Sequence, residues 1–185
     1  MVGGDGNDTF DLTDVSALAN RAVITDFVSG SDILKIEADN TTDATAVGSA
    51  PVMGKSDTAS PNDGQAYAPS VSTTTNDIIE LQTASLANAA NATLGAGQDL
   101  VDTEELFKAM AAAGANNEIS QITATTAGDK FYIVAYDNND IFIYYADAGA
   151  GNAAVVKAEV NLVASITGTG NFAVDALEAS DFLLG

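Results

Sequence analysis

Hydrophobic positions in this chain come in short alternating runs rather than at helical spacing, and they thicken toward the C-terminal third. The first run, Thr9 to Asp11, is a three-residue strand with Phe10 turned inward. Val23, Ile24 and Phe27 then precede a Ser29-Gly30-Ser31 turn, and Ile33, Leu34 and Ile36 follow it, which predicts two strands joined at that turn. Residues 39–76 are mostly Ser, Thr, Asp, Asn and Gly, with Pro51, Pro61 and Pro69 among them, and predict a long irregular loop or insertion. Apolar character returns with Ile78, Ile79 and Leu81 around Glu80. The one helical signature lies near 103–114: Asp102 with Glu105 forms a capping box, Leu106, Phe107 and Met110 share a face, and Gly114 stops the run.

The densest apolar stretch predicts an antiparallel meander. Phe131 to Tyr136 and Ile141 to Ala146 flank Asp137-Asn138-Asn139-Asp140, which reads as a four-residue hairpin turn. Val156, Ala158, Val160 and Leu162 alternate with Lys157, Glu159 and Asn161, the period-two pattern of a half-buried strand. The chain closes on Asp181, Phe182, Leu183 and Leu184.

Charge narrows the possible partners. There are 26 acidic residues against 6 basic ones, no histidine and a formal net charge of -20. Self-repulsion of this size opposes compaction unless cations offset it. Nucleic acid is excluded as a partner because phosphate binding needs clustered Lys and Arg, and anionic membrane surfaces are excluded by the same sign argument. No apolar run approaches the ~18 residues of a membrane-spanning segment. Without cysteine or histidine, neither disulfides nor soft-metal sites are available, and oxygen ligands select calcium or magnesium.

The N-terminal stretch Gly3-Gly4-Asp5-Gly6-Asn7-Asp8-Thr9-Phe10-Asp11 is one copy of the nonapeptide G-G-x-G-x-D-x-U-x. Its glycines permit tight turns that present carbonyls, and Asp8 adds a carboxylate. It resembles the calcium-binding repeat of RTX (hemolysin-type) proteins. A second stretch, with Ile24, Asp26, Phe27, Gly30, Asp32 and Ile33, resembles the segment that closes RTX β-rolls in bacterial type I secreted proteins, including serralysin-like proteases. Ile36 stands one residue beyond the position where that segment usually carries Leu. The two stretches follow each other in the family's order. The terminal Asp181 to Leu184 resembles the uncleaved C-terminal signal of such proteins.

The resemblance implies a mainly β chain: the end of a calcium-binding parallel β-roll over residues 1–37, a polar loop or insertion over 38–76, and an antiparallel β meander or sandwich over 77–185 with one short helix. It implies calcium ligands at Gly4, Asp5, Gly6, Asn7, Asp8, Asp26 and Asp32, and a secretion signal at Asp181, Phe182, Leu183 and Leu184. The implied partners are the ABC-transporter complex of type I secretion, met before folding, and upstream RTX repeats of a longer parent chain. The expected location is outside the cell or on its surface. A cluster at Ser60 to Gly64 is a second candidate calcium site by composition, but such clusters are more often turns.

Three classes of function follow. A calcium-folded export module stays unfolded at cytosolic calcium levels and folds outside by mass action. A surface-layer or adhesin assembly domain fits the Ala, Thr, Gly, Asn and Asp composition and brings in self-assembly. An enzyme is disfavoured: no ordinary triad or thiolate nucleophile can be built, and the adjacent carboxylates Glu104 and Glu105 point apart on a helix.

Overall fold

The structure, a computed structural model, describes residues 1–13, 21–37, 48, 51–55, 71–72, 77–80, 106, 118–124, 128–137, 140–147, 149, 153–167 and 176–185. The protein is mainly β. Twelve strands are described: β1 (Thr9–Asp11), β2 (Ala22–Ile24), β3 (Ile33–Ile36), β4 (Met53–Lys55), β5 (Val71–Ser72), β6 (Ile78–Glu80), β7 (Glu118–Ala124), β8 (Lys130–Asp137), β9 (Asp140–Asp147), β10 (Ala153–Val156), β11 (Val160–Ile166) and β12 (Phe182–Leu184). The helix expected near 103–114 lies outside the described residues except for Leu106, which is helical and buried. The Ser60–Gly64 cluster lies outside them altogether.

Short strands far apart in sequence pair in parallel. A three-stranded sheet has the order β1-β3-β12, and both of its pairings are parallel. A six-stranded sheet has the order β2-β11-β9-β8-β6-β4. It is antiparallel at its centre, through β8 with β9 and β9 with β11, and parallel toward both edges. A third sheet has the order β10-β7-β5. Successive strands β1, β2 and β3 therefore alternate between two sheets, so the pair read from residues 22–37 does not form a hairpin. Its members face each other across the core.

That core lies between the three-stranded and six-stranded sheets. Phe10, Leu34, Phe182 and Leu184 from the first pack in one buried cluster with Ile24, Ile78, Tyr136 and Ile143 from the second. The central hairpin is buried on both faces: Tyr132, Val134 and Tyr136 join this cluster, while Phe131, Ile133 and Ala135 are equally buried on the other side. An unbroken apolar run from 131 to 136 suits a strand with no solvent face.

Three expectations from the sequence change here. Pairing in the hairpin extends to Asp137 opposite Asp140, leaving two connecting residues instead of four. The run from Val156 to Leu162 is not one strand: a 3-10 turn at Lys157–Glu159 ends β10 in one sheet and starts β11 in another. Glu159 makes that switch by accepting Val156 N at 3.0 Å and Gly149 N at 2.8 Å. Alternation alone could not reveal a change of sheet, because both halves keep the same polar and apolar order. The polar region 38–76, expected to be an irregular loop or an insertion, contributes β4 and β5 among its described residues. Among the described residues, no helix is long and apolar enough to cross a membrane.

Candidate functional site

The nonapeptide forms a loop that leads into β1. Gly4 and Gly6 adopt φ of 99° and 128°, a region that side-chain-bearing residues avoid, so the glycines at these positions are needed for the loop's course. Gly3 is required for space: a Cβ there would meet the Asp8 side chain at 2.6 to 2.8 Å. Asp8 is thus seated directly against the backbone of Gly3. Its Oδ2 is shut off from solvent and has no hydrogen-bond partner. A carboxylate oxygen left so is costly unless a donor or a cation meets it.

Two other aspartates hold this loop in place. Asp26 accepts Gly3 N at 3.1 Å and Gly4 N at 2.9 Å. The Gly4 and then the Gly3 amide stabilise its charge and hold its carboxyl below the ordinary carboxylate pKa. Asp32 is buried and accepts Asp8 N at 3.0 Å and Val28 N at 2.8 Å. Of the sequence-predicted ligands, Asp8, Asp26 and Asp32 are therefore brought together around one loop, the last two by backbone amides. Asp5, Gly6 and Asn7 are on the exposed rim.

Among the described residues, no group of three or more His, Cys, Asp or Glu side chains converges as a metal cage. An ion held here would therefore take most of its ligands from backbone carbonyls. Asp8 fits such an ion best, since its inward oxygen is unmet. Asp26 and Asp32 already serve the backbone, though each carboxylate oxygen keeps a second lone pair.

The C-terminal residues occupy a different place from a loosely attached signal. Phe182 and Leu184 are buried, and β12 pairs with β3, not with the meander. Asp181 is only 1% exposed and accepts Ser29 Oγ at 2.9 Å, Gly30 N at 2.7 Å and Glu178 N at 2.9 Å. Leu183 is half-buried, and Gly185 N donates to the Ile36 carbonyl at 2.8 Å. The tail is a structural strand of the same sheet that carries the glycine loop.

A signal that sequence reasoning missed ties these features together. Asp8, Asp32, Asp77, Asp129 and Asp181 each stand immediately before a strand: β1, β3, β6, β8 and β12. Asp77 repeats the Asp32 contact on another sheet, accepting Val52 N at 2.7 Å one residue ahead of the neighbouring parallel strand β4. The pattern of an aspartate followed by alternating large hydrophobes, as in Asp8-Thr9-Phe10 and Asp32-Ile33-Leu34, was available in the sequence as an internal repeat. Glu80 and Tyr136 form a further buried pair: the Tyr136 hydroxyl donates to Glu80 Oε1 and accepts Leu177 N at 3.3 Å. No family profile, curated protein or solved structure matches this chain.

Proposed function

We propose that this protein is a non-catalytic calcium-binding module of a larger RTX-type secreted protein, folding on extracellular calcium and carrying an uncleaved type I secretion signal at its C-terminus. The observation that carries the reading is Asp8. Its buried Oδ2 lacks a partner beside a glycine loop in which Gly4 and Gly6 take positive φ. A hard divalent cation supplies the missing positive charge and is matched by oxygen ligands alone. Asp8 would hold it with carbonyls of Gly4 and Gly6, and Asp5 and Asn7 lie on the open side. The alternation of β1, β2 and β3 between two sheets suits the end of a parallel roll, with upstream repeats of the parent chain stacked on the edge strand β1.

The test is thermal unfolding and calorimetric titration of the chain with calcium and, separately, magnesium. Millimolar calcium is expected to raise Tm, Asp8→Asn to shift the half-saturation upward, and magnesium to do little. An unchanged Tm with no heat of binding in a folded sample overturns the reading. The export role is tested by co-expression with a type I transporter complex: the chain should reach the medium with residues 181–185 in place and stay inside the cell without them.

The surface-layer or adhesin reading keeps one supporting observation. Val23, on the edge strand β2, and Val28, shortly after it, are exposed large hydrophobes. Assembly that grows with concentration and calcium in sedimentation experiments would favour it, whereas a monomer at all concentrations favours the export module.

A further inference from the structure

The turn Val28 to Asp32 stands between the glycine loop and the C-terminal strand and is gripped from both sides. On the loop side, Asp32 joins Asp8 N to Val28 N with one carboxylate, tying the last loop residue to the first residue of the turn. On the tail side, Asp181 takes Ser29 Oγ and Gly30 N. The turn itself is closed internally, since Ser31 N and Asp32 N both donate to the Val28 carbonyl at 3.0 and 2.9 Å. Val28 cannot shift without moving Gly30, which has a φ of 78° that other residues rarely adopt. Both carboxylates are almost wholly buried, Asp32 at 2% and Asp181 at 1% exposure. Neither can exchange its amide partners for water without opening the sheet.

We propose that this turn is a two-sided clasp coupling the glycine loop to the C-terminal strand. The tail is seated while the loop is closed on Asp32, and it is released when the loop opens. Strand order gives the coupling its route: β3 follows the turn directly and is the shared neighbour of β1 and β12. Opening at Asp8 frees one carboxylate oxygen of Asp32, loosens Val28 and displaces Gly30. Asp181 then loses two of its three partners, and Phe182 and Leu184 lose the edge they pair with. Where the loop carries calcium, an extension that rests on the proposed function, the ion becomes the ligand that seats the tail, and the tail is accessible to a partner only in the ion-free state.

The coupling is tested by amide hydrogen exchange on the full chain. Asp181 does not touch the Asp8 amide, so that amide reports coupling and not a lost direct contact. Asp181→Asn is expected to speed exchange at Asp8 and Val28 by roughly tenfold or more, beyond any change at the hairpin β8–β9. Ser29→Ala removes one bond only and should act in the same direction more weakly, which keeps the test open if Asp181→Asn does not fold. Val160→Ala, at a buried position on β11 away from the clasp, controls for general loosening. If exchange quickens at Gly30 alone while Asp8 behaves as in Val160→Ala, the clasp is overturned.

A second arm follows removal of the last residues by carboxypeptidase with and without millimolar calcium. Slower trimming with calcium supports the coupling. Calcium binding by calorimetry with unchanged trimming overturns it. No calcium binding together with a responsive Asp8 amide leaves the clasp standing and removes the calcium reading instead.

Discussion

The three-stranded sheet and the β8–β9 hairpin reach order by opposite routes. The hairpin joins two eight-residue strands through two connecting residues, with eight consecutive pairs from Lys130–Asp147 to Asp137–Asp140. Its pairing is local, so little loop-closure entropy opposes it, and burial of both faces then adds the apolar term. The parallel sheet has strands of three, four and three residues. Its third member returns from the far end of the chain: the Asp181 to Gly30 bond spans 151 positions. Ladders this short cannot hold themselves. They are fastened by buried aspartates that accept the amides of neighbouring turns, so in one region backbone pairs with backbone while in the other carboxylates supply the difference.

The comparison is tested most severely by Phe182→Ala. The ring is 2% exposed in the shared core, and its loss should destabilise the protein by roughly 3 to 5 kcal/mol in urea denaturation. Exchange protection should fall first at β1 and β3 and last at β8 and β9. Equal loss in both regions would show that the two are one cooperative unit and break the contrast.

Asp32→Ala should come next. It strands the amides of Asp8 and Val28, for an expected loss of roughly 2 to 4 kcal/mol, and Asp32→Asn should recover part of it because one acceptor oxygen remains. If Asp32→Ala is as mild as an ordinary surface change, the aspartate fastening is not what holds the parallel sheet.

Tyr136→Phe probes the other side of the comparison. It leaves Glu80 and the Leu177 amide without their shared hydroxyl and should cost about 1 to 2 kcal/mol, with the hairpin still formed by circular dichroism.

The smallest effect is a pH dependence. Asp11 is held down to a pKa of about 2 from its ordinary 3.8, first by the Thr13 hydroxyl, then by the Thr13 amide and Lys35. A carboxyl with a depressed folded pKa contributes stability above its unfolded value and loses it as pH falls, here between about 4 and 2. Because Asp11 and Lys35 lie on the surface, the contribution should stay below about 1 kcal/mol, and Asp11→Asn should flatten the unfolding curve across that window.

Much of the candidate loop was legible in advance. Gly3, Gly4, Gly6 and Asp8 stand at spacings that only a tight turn explains, and Phe10 was already marked as the inward residue, as found at 4% exposure. Asp26 and Asp32 were marked near the loop as ligands, but their first task is to accept the amides of Gly3, Gly4, Asp8 and Val28. A carboxylate that fastens backbone has the same sequence signature as one that binds an ion, since both require an aspartate beside a glycine turn.

What the sequence by itself determined is local. Glycine placement set the loop, the unbroken apolar run from Phe131 to Tyr136 set a doubly buried strand, and the excess of acid over base set the charge that any partner must meet. What only the tertiary structure decided is which distant pieces meet: β12 against β3, β2 against β11, and Asp181 in the Ser29–Gly30 turn. The physical reason is that parallel pairing and side-chain-to-amide bonds between remote segments leave no periodicity in the chain. A terminal run such as Asp181 to Leu184 is equally apolar whether it is loose or locked, and the pairing of β12 with β3 decided that it is locked.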